Sequence, residues 1–115
     1  MKDIKFRAWD RANKKMLYDD PHSSIHRMMT WSGIVYSNGV QQEYEMMQYI
    51  GKDIDDREIY EGDLVKCFPS GLIGQVVWDD QSSGFVVLIG RDIVTIYPSF
   101  RRQVIGNIYE NPELL

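Results

Sequence analysis

The sequence lacks most of the features that mark secreted, membrane-spanning or disordered proteins. Its single cysteine, Cys67, cannot form an internal disulfide, which favours a reducing compartment. No apolar run approaches the roughly 20 residues that a membrane-spanning helix needs. The first seven residues include four charged side chains and lack the apolar segment of a signal peptide. Because 43% of the 115 residues are hydrophobic and 26% are charged, we expect one folded, cytoplasmic domain without membrane contacts.

The net charge of −4 is distributed unevenly along the chain. Residues 1–15 contain six basic and two acidic side chains, whereas the remaining residues contain seven basic and fifteen acidic ones. The basic N-terminal segment can attract phosphate groups, because neutralisation of phosphates releases counterions. The acidic remainder opposes nonspecific binding of nucleic acid through its long-range field. The charge distribution therefore disfavours a general nucleic-acid-binding protein.

Short alternating runs predict a β-rich N-terminal half. Ile4–Trp9 and Met16–Tyr18 predict a hairpin, in which Lys5, Arg7 and Trp9 share one strand face. Two further short runs, Ile25–Trp31 and Ile34–Tyr36, follow a polar loop. Residues 40–50 contain good helix formers but also fit a strand that ends at Gly51. We favour the strand.

The C-terminal half alternates short β runs with tight turn signals. The predicted strands are Asp63–Phe68, Gly74–Trp78, Phe85–Ile89, Ile93–Tyr97 and Val104–Tyr109. Five such runs predict a small, strongly bent barrel, which removes unpaired edges by closing on itself. Period-two spacing predicts that the barrel interior includes Val65, Cys67, Val76, Trp78, Val86 and Leu88, or the opposite set if the register shifts by one residue. We interpret Trp31 and Trp78 as core or barrel-rim residues rather than as surfaces for a ligand.

Several segments together carry a resemblance to a known family. They read IKFRAWD (Ile4–Asp10), NKKM (Asn13–Met16), MMQYIG (Met46–Gly51), REIYEGDLVK (Arg57–Lys66), GQVVWDD (Gly74–Asp80) and VIGNIYENPELL (Val104–Leu115). In this order and spacing they resemble the YopX family of small proteins encoded by bacteriophages and prophages. The resemblance implies a mainly β fold in a single domain, residues 1–115. Within it, an N-terminal β-rich hairpin region (residues 1–56) packs on a C-terminal SH3-like small barrel (residues 57–115). It implies no established activity and no catalytic residues.

Three groups of side chains are candidates for chemistry, and each has a simpler interpretation. Asp19, Asp20, His22 and His26 could share a divalent ion, but no further metal motif such as His-Glu-x-x-His supports them, and we favour a solvated loop. Cys67 could be a nucleophile beside a histidine, but a cysteine within a strand is typically a small buried hydrophobe. We therefore predict no catalytic thiol and no metal.

The third group is a run of carboxylates that could bind Mg²⁺ or act as an acid/base pair. Its members are Asp53, Asp55, Asp56, Glu58, Glu61 and Asp63. We interpret them as a solvated turn followed by Asp63 at a strand entry, and Asp79 and Asp80 as a hairpin turn. Gly71 and Gly74 lack the Lys-Ser/Thr of a phosphate-binding loop. We predict no catalytic residue and no cofactor.

A possible binding face is the remaining candidate site. Lys5, Arg7 and Trp9 alternate on one strand, and Lys14 and Lys15 lie in the adjacent turn; we call these five residues the basic face. An aromatic ring can stack on a base while cations contact phosphates. Alternatively, Trp9 packs against a neighbouring element and the cations keep a half-exposed strand soluble.

Three functions remain open at this point. We favour a non-enzymatic phage or prophage accessory module that binds a protein partner, or a second copy of itself, through its barrel surface or a sheet edge. A nucleic-acid-associated module that uses the basic face is the second hypothesis. A metal-dependent enzyme that uses the acidic run is the third, and small barrels as a fold class are compatible with all three.

Overall fold

The protein is mainly β, as the sequence predicts. The computed structural model describes residues 5–18, 34–37, 40–90, 92–95 and 101–115. The chain divides into two compact units, Met1–Tyr49 and Ile50–Leu115. The assignment of the whole chain to one domain, with a division after residue 56, stays a prediction. No helix within the described ranges is long and apolar enough to cross a membrane.

The first unit is built on an antiparallel sheet with the strand order β2-β1-β4-β3. These strands are β1 (Phe6–Asp10), β2 (Lys15–Tyr18), β3 (Ile34–Ser37) and β4 (Val40–Lys52), of which β4 continues into the second unit. The predicted hairpin and the predicted strand at residues 40–50 are both confirmed. The predicted run Ile25–Trp31 lies outside the described residues.

A small core lies on one face of the first sheet. Ala8 on β1 stands opposite Leu17 on β2 and opposite Met46 on β4. Buried Ala8 and Tyr44 form the cluster, and Leu17 and Met46 pack against it. The small alanine side chain lets the flanking strands bring their longer apolar side chains over β1, and burial of this surface stabilises the hairpin.

The second unit contains an antiparallel sheet with the strand order β10-β6-β7-β8-β9. Its strands are β6 (Asp63–Phe68), β7 (Ile73–Asp79), β8 (Gly84–Ile89), β9 (Asp92–Thr95) and β10 (Arg101–Asn107). A short strand, β5 (Glu58–Tyr60), precedes β6 and pairs with β4, and a single turn of 3-10 helix, Pro112–Leu114, follows β10. The last strand thus lies beside β6, so the sheet brings together residues far apart in sequence.

The boundaries of β10 differ from the predicted Val104–Tyr109. The strand begins three residues earlier because Arg101, Arg102 and Gln103 pair with the end of β6. A bulge interrupts the pairing between Val104 and Gly106. The strand ends at Asn107, because the side chain of Asn107 accepts hydrogen bonds from the amides of Tyr109 and Glu110 and so turns the chain.

The core of the second unit confirms part of the predicted interior. Ile59, Val65, Val76 and Val87 form a buried cluster, and the half-buried Cys67 packs against it. The interior predicted at β8 is shifted by one residue: the register pairs Val76 with Val87, so Val87, and not Val86, faces this cluster. Val86 is nevertheless buried, and Leu88 is intermediate.

Trp78 corrects the predicted core more strongly. Its position in β7 has the parity of Val76, but 48% of its surface is exposed. Trp78 stands next to the last residue of the strand, where the sheet gives way to the turn that leads into β8. The prediction that Trp78 lies in the barrel interior is therefore wrong, because the interior does not extend to the end of β7.

Candidate binding surface

The structure divides the basic face into buried and exposed residues. Arg7 and Trp9, the second and fourth residues of β1, are 3% and 9% exposed, so the Trp9 ring has little surface available for stacking on a base. The Lys5 ammonium lies 4.6 Å from the centroid of the Tyr49 ring, within the range of a cation–π contact. Burial of Trp9 agrees with the alternative interpretation of this face as a packing surface.

The β1–β2 hairpin carries the exposed cations of the basic face, Lys14 in its turn and Lys15 at the start of β2. Asp10 holds this turn: its carboxylate accepts hydrogen bonds from the backbone amides of Ala12 (3.1 Å) and Asn13 (3.2 Å) and from Asn13 Nδ2 (2.8 Å). Burial acts to raise the pKa of Asp10, but the hydrogen bonds outweigh it and hold the pKa below its usual 3.8. Ligand binding by the two lysines stays a prediction.

Asp53, in the part of the acidic run that is predicted as a solvated turn, has a structural role. The backbone amides of Asp55 and Arg57 donate hydrogen bonds to Asp53 Oδ1 at 2.8 and 2.9 Å, and the amide of Val104 on β10 donates to Asp53 Oδ2 at 2.8 Å. Burial acts to raise the pKa of Asp53, but these three bonds outweigh it and lower the pKa from 3.8. The prediction was wrong for Asp53, which ties the β4–β5 turn to β10.

The neighbouring acids fit the predicted solvated turn. Asp55 and Asp56 are exposed. Asp56 forms an ion pair with Lys52 at 3.3 Å, and Asp55 accepts a hydrogen bond from Gln103 Nε2 at 3.1 Å. Exposed pairs of this kind contribute little to stability because water screens them. The contacts of Asp55 and Asp56 are therefore those of surface turn residues.

Asp63 is the strand-entry residue that the sequence predicts. It is 2% exposed, and Asp63 Oδ2 accepts a hydrogen bond from the backbone amide of Tyr60 at 2.8 Å. Gly62 has a φ of +89°, a conformation that glycine adopts without steric cost, and its amide donates to the carbonyl of Val76 at 2.8 Å. The Gly-Asp pair therefore closes the turn from β5 into β6.

Cys67 has the environment expected of a packed thiol. It is half-buried against the core cluster and stands opposite Arg102 on β10. Burial raises the pKa of the Cys67 thiol, and the charge of Arg102 acts in the opposite direction without reversing it. A raised pKa lowers the fraction of reactive thiolate at neutral pH.

The remaining metal candidate is the group of carboxylates and histidines that follows β2 in the sequence. Asp19, Asp20, His22 and His26 lie outside the described residues. Within the described part of the chain, no group of three or more His, Cys, Asp and Glu side chains is arranged to hold a metal ion.

An exposed aromatic residue at the β7–β8 hairpin is the feature that the sequence interpretation placed incorrectly. The Trp78 ring contacts the Phe85 ring edge-on, with centroids 5.1 Å apart, and Trp78 Nε1 donates a hydrogen bond to Asp80 Oδ1 at 2.8 Å. Asp79 Oδ2 accepts hydrogen bonds from the amide (3.2 Å) and hydroxyl (2.7 Å) of Ser82, which closes the turn. We call Trp78, Phe85, Asp79 and Asp80 the hairpin patch. Its sequence signal is a tryptophan followed directly by a polar, acidic turn.

The comparison with protein-family models matches the chain to the family described as YopX protein, over residues 5–115. The chain belongs to the YopX family. A solved structure is also similar to this YopX chain: the crystal structure of protein EF1440 from Enterococcus faecalis, with 30% sequence identity and a TM-score of 0.63. The similarity covers 100% of this chain and 99% of that one. The comparison with curated proteins found no match.

The last segment that carries the YopX resemblance, Val104–Leu115, stabilises the turn that follows β10. In the final segment, Asn107 Oδ1 accepts hydrogen bonds from the amides of Tyr109 (3.0 Å) and Glu110 (2.9 Å), and this ends β10 in a turn. A Cβ atom on Gly106 would lie 2.5 Å from Asn111 Oδ1, so this side chain requires a glycine beneath it. Turn closure and close packing therefore account for Gly106 and Asn107 in this family segment.

Proposed function

We propose that this YopX protein is a non-enzymatic accessory protein of a bacteriophage or prophage that works in the host cytoplasm. Its C-terminal part acts as a small SH3-like barrel, and its molecular task is to bind a protein partner. Family membership over residues 5–115 supports the general class. The strand order, in which β10 lies beside β6 and a β6-β7-β8-β9 meander follows, supports the barrel assignment.

The hairpin patch is the observation that carries the proposal. Trp78 is 48% exposed, but its indole is held by Asp80 and by the edge of Phe85. Tryptophan is enriched among the residues that dominate binding energy at protein interfaces. A ring that is already fixed in orientation loses little conformational entropy when a partner covers it. The patch therefore has the composition and the preorganisation of an interface anchor.

Trp78→Ala tests the proposal directly. Affinity-tagged wild-type protein and the variant are each used to capture proteins from infected or lysogenic host cells, and the captured proteins are identified by mass spectrometry. We expect one partner whose recovery falls about tenfold or more with Trp78→Ala, the scale of a hot-spot residue. Binding to the purified partner is then measured by calorimetry, so that the effect is assigned to direct contact.

Leu72→Ala is the matched control. Leu72 is an apolar side chain with 53% exposure in the turn between β6 and β7, at the opposite end of β7. We expect Leu72→Ala to leave recovery of the partner unchanged. Circular dichroism checks that both variants are folded. Equal recovery with wild type and Trp78→Ala would refute the proposed role of the hairpin patch. Loss of a concentration-dependent dimer, measured by light scattering, would instead identify the partner as a second copy of the chain.

A further inference from the structure

The antiparallel topology gathers several turns of the second unit at one end of its sheet. Asn107 pairs with Asp63, and the amide of Gly62 bonds to the carbonyl of Val76 on β7. The β5–β6 turn, the β7–β8 turn and the segment after β10 therefore lie at the same end of the sheet. We call residues 58–63, 78–84 and 107–115 the acidic end. The hairpin patch belongs to it.

The acidic end carries charge of one sign, whereas the opposite end carries both signs, because Asp55 of the β4–β5 turn contacts Gln103 on β10. The acidic end contains no lysine or arginine in its sequence and has seven carboxylate side chains: Glu58, Glu61, Asp63, Asp79, Asp80, Glu110 and Glu113. At the opposite end of the same sheet, Arg101 and Arg102 pair with the last residues of β6, and Lys66 lies close by on β6. A partner that approaches Trp78 meets a negative field from several segments at once, and such a field attracts cations.

The local geometry of the hairpin patch suits a cationic side chain. Trp78 is 48% exposed, and tryptophan is the best aromatic partner for an ammonium or guanidinium group. Asp80, which is exposed, uses one carboxylate oxygen to hold the Trp78 indole. The same carboxylate can pair with a cation above the ring, because carboxylate and guanidinium form charge-assisted hydrogen bonds.

We infer that the partner presents a basic segment, rich in arginine or lysine, and that one of its cationic side chains lies over the Trp78 ring beside Asp80. The inference rests on the proposed function and specifies the chemistry of the partner. It follows from charge complementarity at the acidic end together with the exposed, oriented indole. A partner segment of acidic character would be repelled from this surface.

An octa-arginine peptide is the probe, and an octa-glutamate peptide is the matched control. Binding is followed by the NMR signal of the Trp78 indole N–H, which is identified by its absence in Trp78→Phe. We expect octa-arginine, and not octa-glutamate, to shift this signal and to bind more weakly as salt rises from about 50 to about 300 mM, because salt screens exposed charges. Trp78→Ala should raise the Kd about fivefold, the scale of a cation–π contact at an exposed site.

Two double variants distinguish a specific cation site at the hairpin patch from general electrostatic attraction by the acidic surface. Asp79→Asn with Asp80→Asn removes two charges but keeps amide oxygens that can accept the hydrogen bonds from Ser82 and Trp78. Asp55→Asn with Asp56→Asn removes two exposed charges from the β4–β5 turn. We expect the first pair to raise the Kd for octa-arginine at least as much as Trp78→Ala does, and the second to leave it within about twofold. Equal effects of both pairs would overturn the inference.

Failure of the inference is distinguishable from failure of the proposed function. If the captured partner depends on Trp78 but its Kd does not change with salt or with the Asp79 and Asp80 variants, the interface exists and its basic chemistry is refuted. If octa-arginine binds at the hairpin patch but no captured protein depends on Trp78, the cationic subsite stands and the protein-binding function is refuted.

Discussion

Removal of the Asp53 carboxylate tests whether one side chain joins the β4–β5 turn to β10. Asp53→Ala removes the acceptor for three backbone amides, which belong to Asp55, Arg57 and Val104. Hydrogen bonds to a charged group contribute about 1.5–3 kcal/mol each in favourable cases. Asp53 is half-buried, so water can replace part of this interaction at the turn amides, and less at the part-buried Val104 amide.

We therefore expect Asp53→Ala to lower the free energy of unfolding by about 3 kcal/mol. With an m-value of about 1.5 kcal/mol per molar urea, the midpoint of denaturation should fall by about 2 M. Asp56→Asn is the matched control: it removes an exposed charge three residues away and keeps a residue type that tolerates the positive φ of 63° at this position. Its effect should stay within about 0.5 kcal/mol.

The pH dependence of the same comparison gives a second, independent measure. The folded-state pKa of Asp53 is lowered from 3.8 by hydrogen bonds that outweigh its burial, so the unfolded chain binds the proton more tightly and acid favours unfolding. The stabilisation by Asp53 is complete above about pH 5 and is lost as the pH falls through the lowered folded-state pKa. The difference in stability between wild type and Asp53→Ala should therefore shrink as the pH falls below about 4. An Asp53→Ala midpoint that equals that of Asp56→Asn at neutral pH would refute the reasoning.

Three further predictions concern packing, thiol reactivity and the basic face. Gly74→Ala places a Cβ atom 2.5 Å from Val87 Cγ1. We expect this overpacking to lower the free energy of unfolding, measured by urea denaturation, by about 1–3 kcal/mol. Unchanged stability would show that β7 can move away from β8. Cys67 should react with a thiol reagent slowly in native buffer and rapidly in denaturant, because burial raises its pKa; native labelling at the rate of a free thiol would contradict this. Lys14→Glu with Lys15→Glu should leave retention on a nucleic-acid column at background, as for wild type; submicromolar, salt-sensitive binding by wild type that these changes weaken would establish nucleic-acid association instead.

The β elements could be predicted from the sequence because alternation and turn residues are local signals. The hairpin of β1 and β2 and the runs at β6 and β7 follow from period-two patterns. The strands β4 and β8 follow from runs that end at a glycine, Gly51 and Gly90. The register of β8 could not be predicted, because a strand with apolar residues on both faces, such as Phe85–Ile89, fits either orientation. Cross-strand pairing of Val76 with Val87 decides it.

The roles of the acidic residues could be predicted only in part. Asp63 follows a glycine at a strand entry, and this local context identified it correctly. Asp53 stands in a turn with the same composition as its neighbours Asp55 and Asp56, so no local signal distinguishes it. The distinguishing contact is the amide of Val104, which is 51 positions away and reaches Asp53 only after β10 has paired with β6.

The alternation of apolar residues along β7 predicts the strand correctly but predicts the wrong environment for Trp78. Period-two spacing places Trp78 on the side of Val76, and a large aromatic residue at such a position normally fills a core. Instead, the strand ends one residue later, and hydrogen bonding to Asp80 holds the indole at the surface. Departures from local rules are expected at functional sites, where stability is not the only constraint. The exposed and oriented indole therefore supports the hairpin patch as the binding surface, whereas the buried Trp9 gives the basic face no comparable support.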